Sequence, residues 1–287
     1  MGWRSLEEFI LALEQRGELL RVSHPVDVEL EAGCIADLLV KRDGPAVIFD
    51  QPRLGDGSIS RYPLAMNLFG TRDRTNLALG VVEPKEIGEM MTGLMKPDIG
   101  GILRRPWTGL GLLRQGISMA PRKVSRGKCQ QVRMDDPDVT RLPIPTSWPQ
   151  DGGPFMTLPL VVTSDPETGV HNLGMYRSQV FGPDEVGLHW QKHKHGADHA
   201  EASDDRMPVA ICLGGPPQVI FSAISPLPDN LSEYEFAGLL SGRRLKITKC
   251  LTNDLWVPAD CDFVIEGYTL PSEKRIEGPF GDHFGHY

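Results

Sequence analysis

The chain has 287 residues, 40% of them hydrophobic and 24% charged, so it can bury a core and does not have the composition of a disordered protein. Its 30 basic and 38 acidic residues leave a net charge of −8, which argues against a broad nucleic-acid-binding surface. No apolar run reaches the roughly 18 residues that a membrane span needs, and the charged N-terminus lacks the apolar stretch of a signal peptide. Five scattered cysteines without a CxxC pair predict a reducing, cytoplasmic location and no cysteine metal site.

The first hundred residues alternate between helix and strand signals. Ser5 and Glu8 form a capping-box pattern, and apolar residues then recur at helical spacing until Gly17. The expected elements are helices over 6–16, 29–41 and 84–95 and strands over 18–22 and 46–49. This alternation predicts an N-terminal α/β domain, which we place at residues 1–120.

A basic segment follows at residues 101–134, with eight Lys or Arg and no Asp or Glu. We expect a solvated connection between domains, and the alternative is a basic rim that attracts an anionic ligand. Closely spaced prolines predict an extended loop over residues 135–154.

Strand signals dominate the remainder of the chain. Alternating or β-branched runs predict strands over 158–163, 172–181, 209–213, 219–224, 245–250 and 263–268. One helix interrupts them, capped by Ser232 with Glu235 and ended by Gly242. The overall expectation is an α+β fold in which a barrel-like or strongly curved sheet occupies residues 121–287.

Histidines are concentrated between residues 171 and 199, where five of the eight occur. Imidazole is a common metal ligand and proton carrier, so this segment is a candidate site, with a polar loop as the simpler interpretation. The spacing differs from HExxH, and a histidine-cluster metallohydrolase is therefore only a weak alternative. The sequence also lacks GxGxxG and GxxxxGK[ST] motifs, so neither a dinucleotide fold nor a P-loop is indicated.

Two further features are charged side chains at positions that the sequence predicts to be at least partly buried. On a strand over 172–181, Arg177 shares a face with Leu173 and Met175, and an inward arginine needs an anion, either a ligand or a structural carboxylate. Glu277 and Asp282 lie on a Gly-rich turn that lets two carboxylates approach, and neighbouring acids can take separate proton-donor and charged roles. Glu233, by contrast, has the position of an ordinary first-turn helix residue.

Together these motifs resemble the UbiD family of reversible aromatic and α,β-unsaturated acid decarboxylases, which use prenylated FMN. The similar strings, in chain order, are NLGMYRSQV, HWQKHKHGA, SEYEFAGLL, TNDLWVPA and EGPFGDHFGHY. The likeness covers residues 134–287 and continues more loosely through the N-terminal domain. It implies that residues 121–287 form a split β-barrel of the flavin-binding type.

The resemblance also implies the site residues. The catalytic set is Arg177, Glu277 and Asp282, where several family members have a glutamate in place of this aspartate. Divalent Mn²⁺ is expected on Asn172, His193 and Glu233, whose nitrogen and oxygen donors suit such a cation. Residues expected to line the prenylated flavin are Met175, Tyr176, Arg177, His189, Trp190, Gln191, Lys194 and His195. A monovalent cation such as K⁺ is implied near Ser222, Ala223, Ser225 and Glu233.

The implied reaction is the non-oxidative decarboxylation of an aromatic acid. We expect 4-hydroxy-3-polyprenylbenzoate, a quinone precursor, as substrate, with another aromatic or unsaturated acid as the alternative. The cofactor would supply the electron sink and the protein the orientation and electrostatics. A flavin prenyltransferase is the expected cofactor supplier.

The family's C-terminal domain, which supplies a further lysine and oligomer contacts, is expected to lie beyond Tyr287. A homo-oligomer formed through that domain is expected, as is peripheral membrane association if the substrate is polyprenylated. Because the domain is not in this chain, a non-catalytic flavin-binding subunit is a further alternative.

Overall fold

A computed structural model of the chain describes residues 2–95, 106–190, 195–203, 206–228, 231–270, 273–282, 284 and 286–287. Its helices are α1 (Leu6–Gln15), α2 (Glu31–Val40), α3 (Arg72–Leu79), α4 (Lys85–Met95), α5 (Pro106–Met119), α6 (His195–Glu201), α7 (Pro217–Ser222) and α8 (Glu233–Ser241). Its strands are β1 (Leu19–Asp27), β2 (Ala46–Arg53), β3 (Leu64–Met66), β4 (Arg122–Val124), β5 (Phe155–Met156), β6 (Leu160–Ser164), β7 (His171–Met175), β8 (Ser178–Val180), β9 (Val186–Leu188), β10 (Met207–Leu213), β11 (Lys246–Lys249), β12 (Trp256–Pro258) and β13 (Phe263–Thr269). None of the helices in these described segments is long and apolar enough to cross a membrane.

The N-terminal part has the predicted mixture of helices and strands. Strands β1 and β2 pair in parallel and β3 adds antiparallel to β2. Phe9 and Leu13 of α1 are fully buried beside Ala46. Ser5 caps α1 as predicted, since its Oγ accepts the amide of Glu8 at 3.1 Å, whereas the Glu8 carboxylate accepts the amide of Arg4 and not that of Ser5.

In the second part, the described strands form three more sheets, ordered β13-β10-β6-β7, β12-β11-β4 and β5-β8-β9. Helices α7 and α8 pack on the first of these, and the shared core includes the fully buried Leu160, Leu173 and Cys212. Ser232 and Glu235 form the predicted capping box of α8, which ends at Gly242. The predicted mixed α and β architecture is therefore confirmed, although no closed barrel is seen among the described strands.

Residues 219–224 contradict the sequence prediction, because helix α7 occupies most of the segment expected to be a strand. Pro217 takes the first helical position, where the missing proline N–H is not needed. Val219 and Ile220 are buried in the core. A short apolar run indicates burial, but it does not distinguish a buried strand from a buried helix.

The predicted strand over 172–181 is divided between two sheets. Strand β7 pairs with β6, whereas β8 pairs with β5 and β9. Tyr176 and Arg177 lie between the two strands and belong to neither. Tyr176 is buried, and its carbonyl accepts the Ser178 hydroxyl at 2.9 Å. Arg177 therefore lies at a junction between sheets and not on the face of one continuous strand.

Three other segments are more helical than expected. Helix α5 begins at Pro106, inside the basic segment that was expected to be a solvated connection, and it packs against α8 at Gly238. Helix α3 follows Thr71 in a segment for which the sequence analysis gave no helix, and α6 occupies part of the histidine segment. Residues 101–105 of the basic segment lie outside the described residues.

The core of the β13-β10-β6-β7 sheet provides a stability test. Leu160 is fully buried, so Leu160→Ala should lower the free energy of unfolding by about 2–5 kcal/mol through lost burial and a residual cavity. Leu158 is 46% exposed, so Leu158→Ala should cost less than about 1 kcal/mol. Urea unfolding of both variants measures the difference, and equal losses would contradict this assignment of the core.

Candidate active site

Arg177 and Glu277 form a two-pronged ion pair although they are 100 positions apart in the chain. Arg177 Nε donates to Glu277 Oε1 at 2.5 Å, and Arg177 Nη2 donates to Glu277 Oε2 at 2.9 Å. The side chain of Glu277 is 14% exposed and that of Arg177 is 33% exposed. The guanidinium is thus bound on one edge and still accessible to a ligand.

His189 completes this polar group from the end of β9. Its Nδ1 lies 3.4 Å from Glu277 Oε2, and its backbone amide donates to the Arg177 carbonyl at 3.2 Å. Burial by itself would raise the pKa of Glu277, but the hydrogen bonds and charge of Arg177, followed by those of His189, outweigh burial and lower it. Glu277 is therefore ionised at neutral pH in this arrangement.

Asp282 lies at the other end of the same turn, five residues after Glu277. Its Oδ1 accepts the backbone amides of Phe284 and His286 at 2.8 and 2.9 Å, and its own amide donates to the His286 carbonyl at 2.8 Å. The two predicted acids thus share one turn but have different partners. One is bound to a guanidinium, and the other accepts from backbone amides.

An aromatic group lies next to the ion pair, on the chain segments that flank β7 and β9. The rings of Tyr176 and Trp190 meet edge to face with centroids 5.0 Å apart. The Tyr176 hydroxyl accepts the amide of Gly196 at 3.2 Å, and burial raises the pKa of this phenol. Met175 continues from β7 into the same segment, and its amide donates to the Ala223 carbonyl at 3.3 Å.

Part of the predicted cofactor and metal set cannot be placed. Gln191, His193 and Lys194 lie outside the described residues, and so does the side chain of His195 at the start of α6. The placed members of the cofactor set are Met175, Tyr176, Arg177, His189 and Trp190. The partly exposed Arg177 guanidinium and Trp190 ring suit an anionic, planar ligand.

Asn172 and Glu233, two of the predicted metal ligands, lie beside each other in the structure. Glu233 Oε2 accepts the amide of Leu173, the residue after Asn172, at 3.3 Å. Asn172 is 6% exposed, and its side-chain Nδ2 is buried without a hydrogen-bond partner. Because the O and N of an amide can be exchanged by a flip, the unpaired end can present an oxygen to a cation. The two residues present therefore fit a divalent metal.

The described residues contain no group of three or more His, Cys, Asp or Glu that could hold a metal ion. His171 contacts the Gly169 carbonyl and the Trp256 amide, whereas His199 is buried against Thr163 Oγ1. His189 faces Glu277 instead. These separate environments disfavour a zinc site built on those three histidines.

The residues expected near a monovalent cation also cluster around the end of α7. The Ser222 and Ser225 hydroxyls donate to helix carbonyls, each at 2.8 Å, which leaves oxygen lone pairs available. Ala223 supplies a carbonyl that accepts from Met175, and Glu233 lies at the start of α8. The oxygen-rich composition is compatible with such a cation.

One cavity, of about 710 Å³, lies elsewhere and is lined mainly by apolar side chains such as Val209, Ile211 and Phe263. None of the predicted site residues that the structure describes belongs to its lining. We therefore assign the candidate chemistry to the Arg177–Glu277 group and not to this cavity.

Three residues of the site escaped the sequence analysis. The Phe280 ring lies 4.9 Å from the Arg177 guanidinium, while Gln179 and Asp151 bind the backbone of the turn that carries the acids. A usable signal existed for Gln179, because it follows Arg177 by two positions, as residues on one face of a strand do. No sequence signal links Asp151 to a turn 130 residues away.

Structural comparison places this fold in the UbiD class. Vanillic acid decarboxylase of Sedimentibacter hydroxybenzoicus is 30% identical with a TM-score of 0.83, covering 98% of this chain and 58% of that chain. An evolved dimeric form of the UbiD-class enzyme HmfF from Pelotomaculum thermopropionicum, solved in complex with prFMN, is 26% identical with a TM-score of 0.82, covering 99% of this chain and 62% of that chain.

Two family models also match. The 3-octaprenyl-4-hydroxybenzoate carboxy-lyase N-terminal domain covers residues 10–92, and the UbiD 3-octaprenyl-4-hydroxybenzoate carboxy-lyase Rift-related domain covers residues 122–287. The chain belongs to the UbiD family. An uncharacterized protein of Archaeoglobus fulgidus is 42% identical over 291 residues, and this chain spans 59% of that relative's length.

Removing the Glu277 charge tests the ion pair. Since the pKa of Glu277 is lowered from 4.5, the pair should stabilise the fold above that pH and lose its effect as the pH falls through the lower folded value. Glu277→Gln should therefore lower the free energy of unfolding by about 1–3 kcal/mol at pH 7, and the difference from wild type should shrink on acidification.

Urea unfolding from pH 7 to pH 3.5 measures this difference. The control is Glu185→Gln, whose partner Arg275 and own side chain are both 57% exposed, and it should cost less than about 1 kcal/mol. If the difference in free energy of unfolding between Glu277→Gln and wild type did not change with pH, the result would count against the ion pair.

Proposed function

We propose that this chain is the prenylated-FMN-binding part of a non-oxidative aromatic-acid decarboxylase. The observation that supports it best is the bidentate Arg177–Glu277 pair, whose arginine keeps a third of its side-chain surface exposed. A guanidinium fixed by a protein carboxylate is preoriented to bind a second carboxylate, such as that of an aromatic acid. Family membership and the UbiD-class neighbours support the same activity.

In this proposal Arg177 holds the substrate carboxylate, and Glu277 keeps the guanidinium oriented. Because its pKa is lowered, Glu277 carries no proton at neutral pH. The proton that replaces CO₂ is therefore assigned to Asp282, which lies on the same turn with different partners. Two carboxyl groups in different environments can divide the charged and proton-donating roles in this way.

Prenylated FMN, when bound, would supply the electron sink for loss of CO₂. The residues proposed to hold it are Met175, Tyr176, Arg177, His189, Trp190, Gln191, Lys194 and His195. Mn²⁺ is proposed on Asn172, His193 and Glu233, with K⁺ near Ser222, Ala223 and Ser225. Tyr176 and Trp190 would close one side of the site and exclude water from it, since their rings pack directly against each other.

For the substrate we propose 4-hydroxy-3-polyprenylbenzoate, with a smaller hydroxybenzoate as the alternative that the vanillic acid decarboxylase neighbour favours. A flavin prenyltransferase would supply the cofactor, and a C-terminal domain beyond residue 287 would provide oligomer contacts. The split β-barrel at residues 121–287 and the N-terminal α/β domain at residues 1–120 remain parts of this proposal. All five cysteines are free thiols, which suits the proposed cytoplasmic location.

One experiment tests the function. The chain, alone and joined to the C-terminal domain that the family resemblance predicts, is co-expressed with a flavin prenyltransferase. Its visible spectrum, metal content and CO₂ release from a panel of aromatic acids are then measured. A yellow, manganese-containing protein that releases CO₂ is expected. A colourless, zinc-loaded protein would favour a metallohydrolase, and bound flavin without CO₂ release would favour a non-catalytic subunit.

Asp282→Asn tests the proton donor. The amide cannot deliver a proton, so kcat should fall about 10²–10⁴-fold while flavin and Mn²⁺ remain bound. Asp184→Asn, an exposed aspartate on the loop before β9, is the matched control and should leave kcat unchanged. Wild-type turnover in Asp282→Asn would refute the assignment.

Asn172→Leu tests the metal site independently of activity. The apolar side chain removes a buried amide with an unpaired end, next to the residue whose backbone amide Glu233 accepts, so Mn²⁺ affinity measured by calorimetry should fall at least about 10-fold. The control is Asn253→Leu, which also has an amide end without a partner but lies on a different loop. Unchanged Mn²⁺ affinity in Asn172→Leu would exclude this residue as a ligand.

A further inference from the structure

We infer that Gln179 and Asp151 are positioning residues that hold the Glu277–Asp282 turn in place against Arg177. Neither residue contacts the guanidinium, and each acts on the backbone next to one of the two acids. The expected effect on catalysis rests on the proposed function. The restraint of the turn backbone does not depend on it.

The turn needs external support because residues 273–282 form no helix or strand. It has no ladder of backbone hydrogen bonds of its own, yet it must present Glu277 to both nitrogens of one guanidinium. A displacement of about 1 Å at a reacting group can cost roughly 100-fold in rate. Contacts that restrain this backbone therefore matter for chemistry.

Gln179 restrains the Glu277 end of the turn. Its side chain is 3% exposed; Oε1 accepts the amide of Gly278 at 2.8 Å, and Nε2 donates to the carbonyl of Gly152, also at 2.8 Å. An N–H on one side and a carbonyl on the other allow only one orientation of the amide group. Both hydrogen bonds require a glutamine amide, and an apolar side chain of similar size can form neither.

Asp151 restrains the Asp282 end. Its Oδ1 accepts the amide of Gly281 at 2.7 Å. Its Oδ2 accepts the amides of Ser147 and Trp148 at 3.2 and 2.9 Å, which anchors the carboxylate within its own loop. Asp151 thus links a turn in residues 147–151 directly to the residue before Asp282.

Between these two contacts the backbones touch directly. The amide of Gly152 donates to the Pro279 carbonyl at 2.8 Å. A Cβ on Gly152 would overlap the Gly278 carbonyl, and Gly278 has a φ of 88°, which favours glycine. The backbone of the turn is therefore held at positions 278, 279 and 281, which lie between Glu277 and Asp282 in the chain.

The test uses Gln179→Met and Asp151→Asn in the chain extended by its predicted C-terminal domain and loaded with cofactor. Gln179→Met keeps the length of the side chain and removes both hydrogen bonds. Asp151→Asn keeps one acceptor oxygen, which cannot serve both the Ser147–Trp148 amides and Gly281. The controls are Gln150→Met and Asp184→Asn, at exposed positions.

Hydrogen exchange by mass spectrometry gives the first readout. We expect faster amide exchange in the peptide covering 277–282 for both variants, with no change in a peptide covering β1 and β2. Unchanged exchange at 277–282 overturns the inference whether or not the protein is a decarboxylase. If Gln179→Met does not fold, Asp151→Asn tests the second anchor by itself.

Kinetics gives the second readout. We expect kcat to fall about 10–100-fold with little change in KM. The acidic limb of the kcat/KM profile should also move to higher pH, because Glu277 loses part of the Arg177 contact that lowers its pKa, and global destabilisation alone would not produce that shift. Faster exchange with wild-type kcat and pH profile would overturn the positioning role. An inactive wild type refutes the proposed function, and exchange alone then decides whether the anchors exist.

Discussion

The ion pair between Arg177 and Glu277 is the contact on which the candidate site depends. It joins the junction between β7 and β8 to a turn that follows β13, two regions that have no sequence proximity. The guanidinium matches a carboxylate with two parallel hydrogen bonds, which defines direction as well as distance. Because a third of the Arg177 side-chain surface is exposed, the pair leaves part of the arginine open to a ligand.

That pair also sets the protonation of the site. The partly buried Glu277 carboxylate, next to a guanidinium and an imidazole, keeps its charge because the favourable interactions outweigh the loss of solvation. The second acid of the turn, Asp282, accepts the backbone amides of Phe284 and His286. The turn therefore presents two chemically similar groups with different surroundings, as acid–base sites often do.

Glu233, which contacts β7, is both a helix-start residue and a proposed metal ligand. Glu233 occupies the first turn of α8, where the helix dipole favours a negative charge, and one of its oxygens accepts the Leu173 amide. A carboxylate offers about four acceptor sites, and accepting an amide does not conflict with binding a cation. The helix-start and metal-ligand interpretations of Glu233 are therefore compatible.

Several elements were predictable because their signals are local. Ser5 and Ser232 mark helix starts through bonds to residues three positions away, and Gly242 ends α8 with a left-handed backbone. The segment 219–224 was predicted wrongly, since an apolar run indicates burial in a helix as well as in a strand. The break at Tyr176 and Arg177 was missed because it depends on which sheet each half of the run joins.

The sequence by itself determined the composition class, the approximate boundaries of four of the eight described helices, the family resemblance and the identity of the candidate residues. Only the tertiary structure decided that Glu277 meets Arg177 and that Gln179 and Asp151 hold the turn between the acids. The physical reason is that side-chain type and local spacing can be read directly from the sequence. Contacts across 100 or 130 positions, by contrast, arise only when the packing of separate sheets brings their loops together.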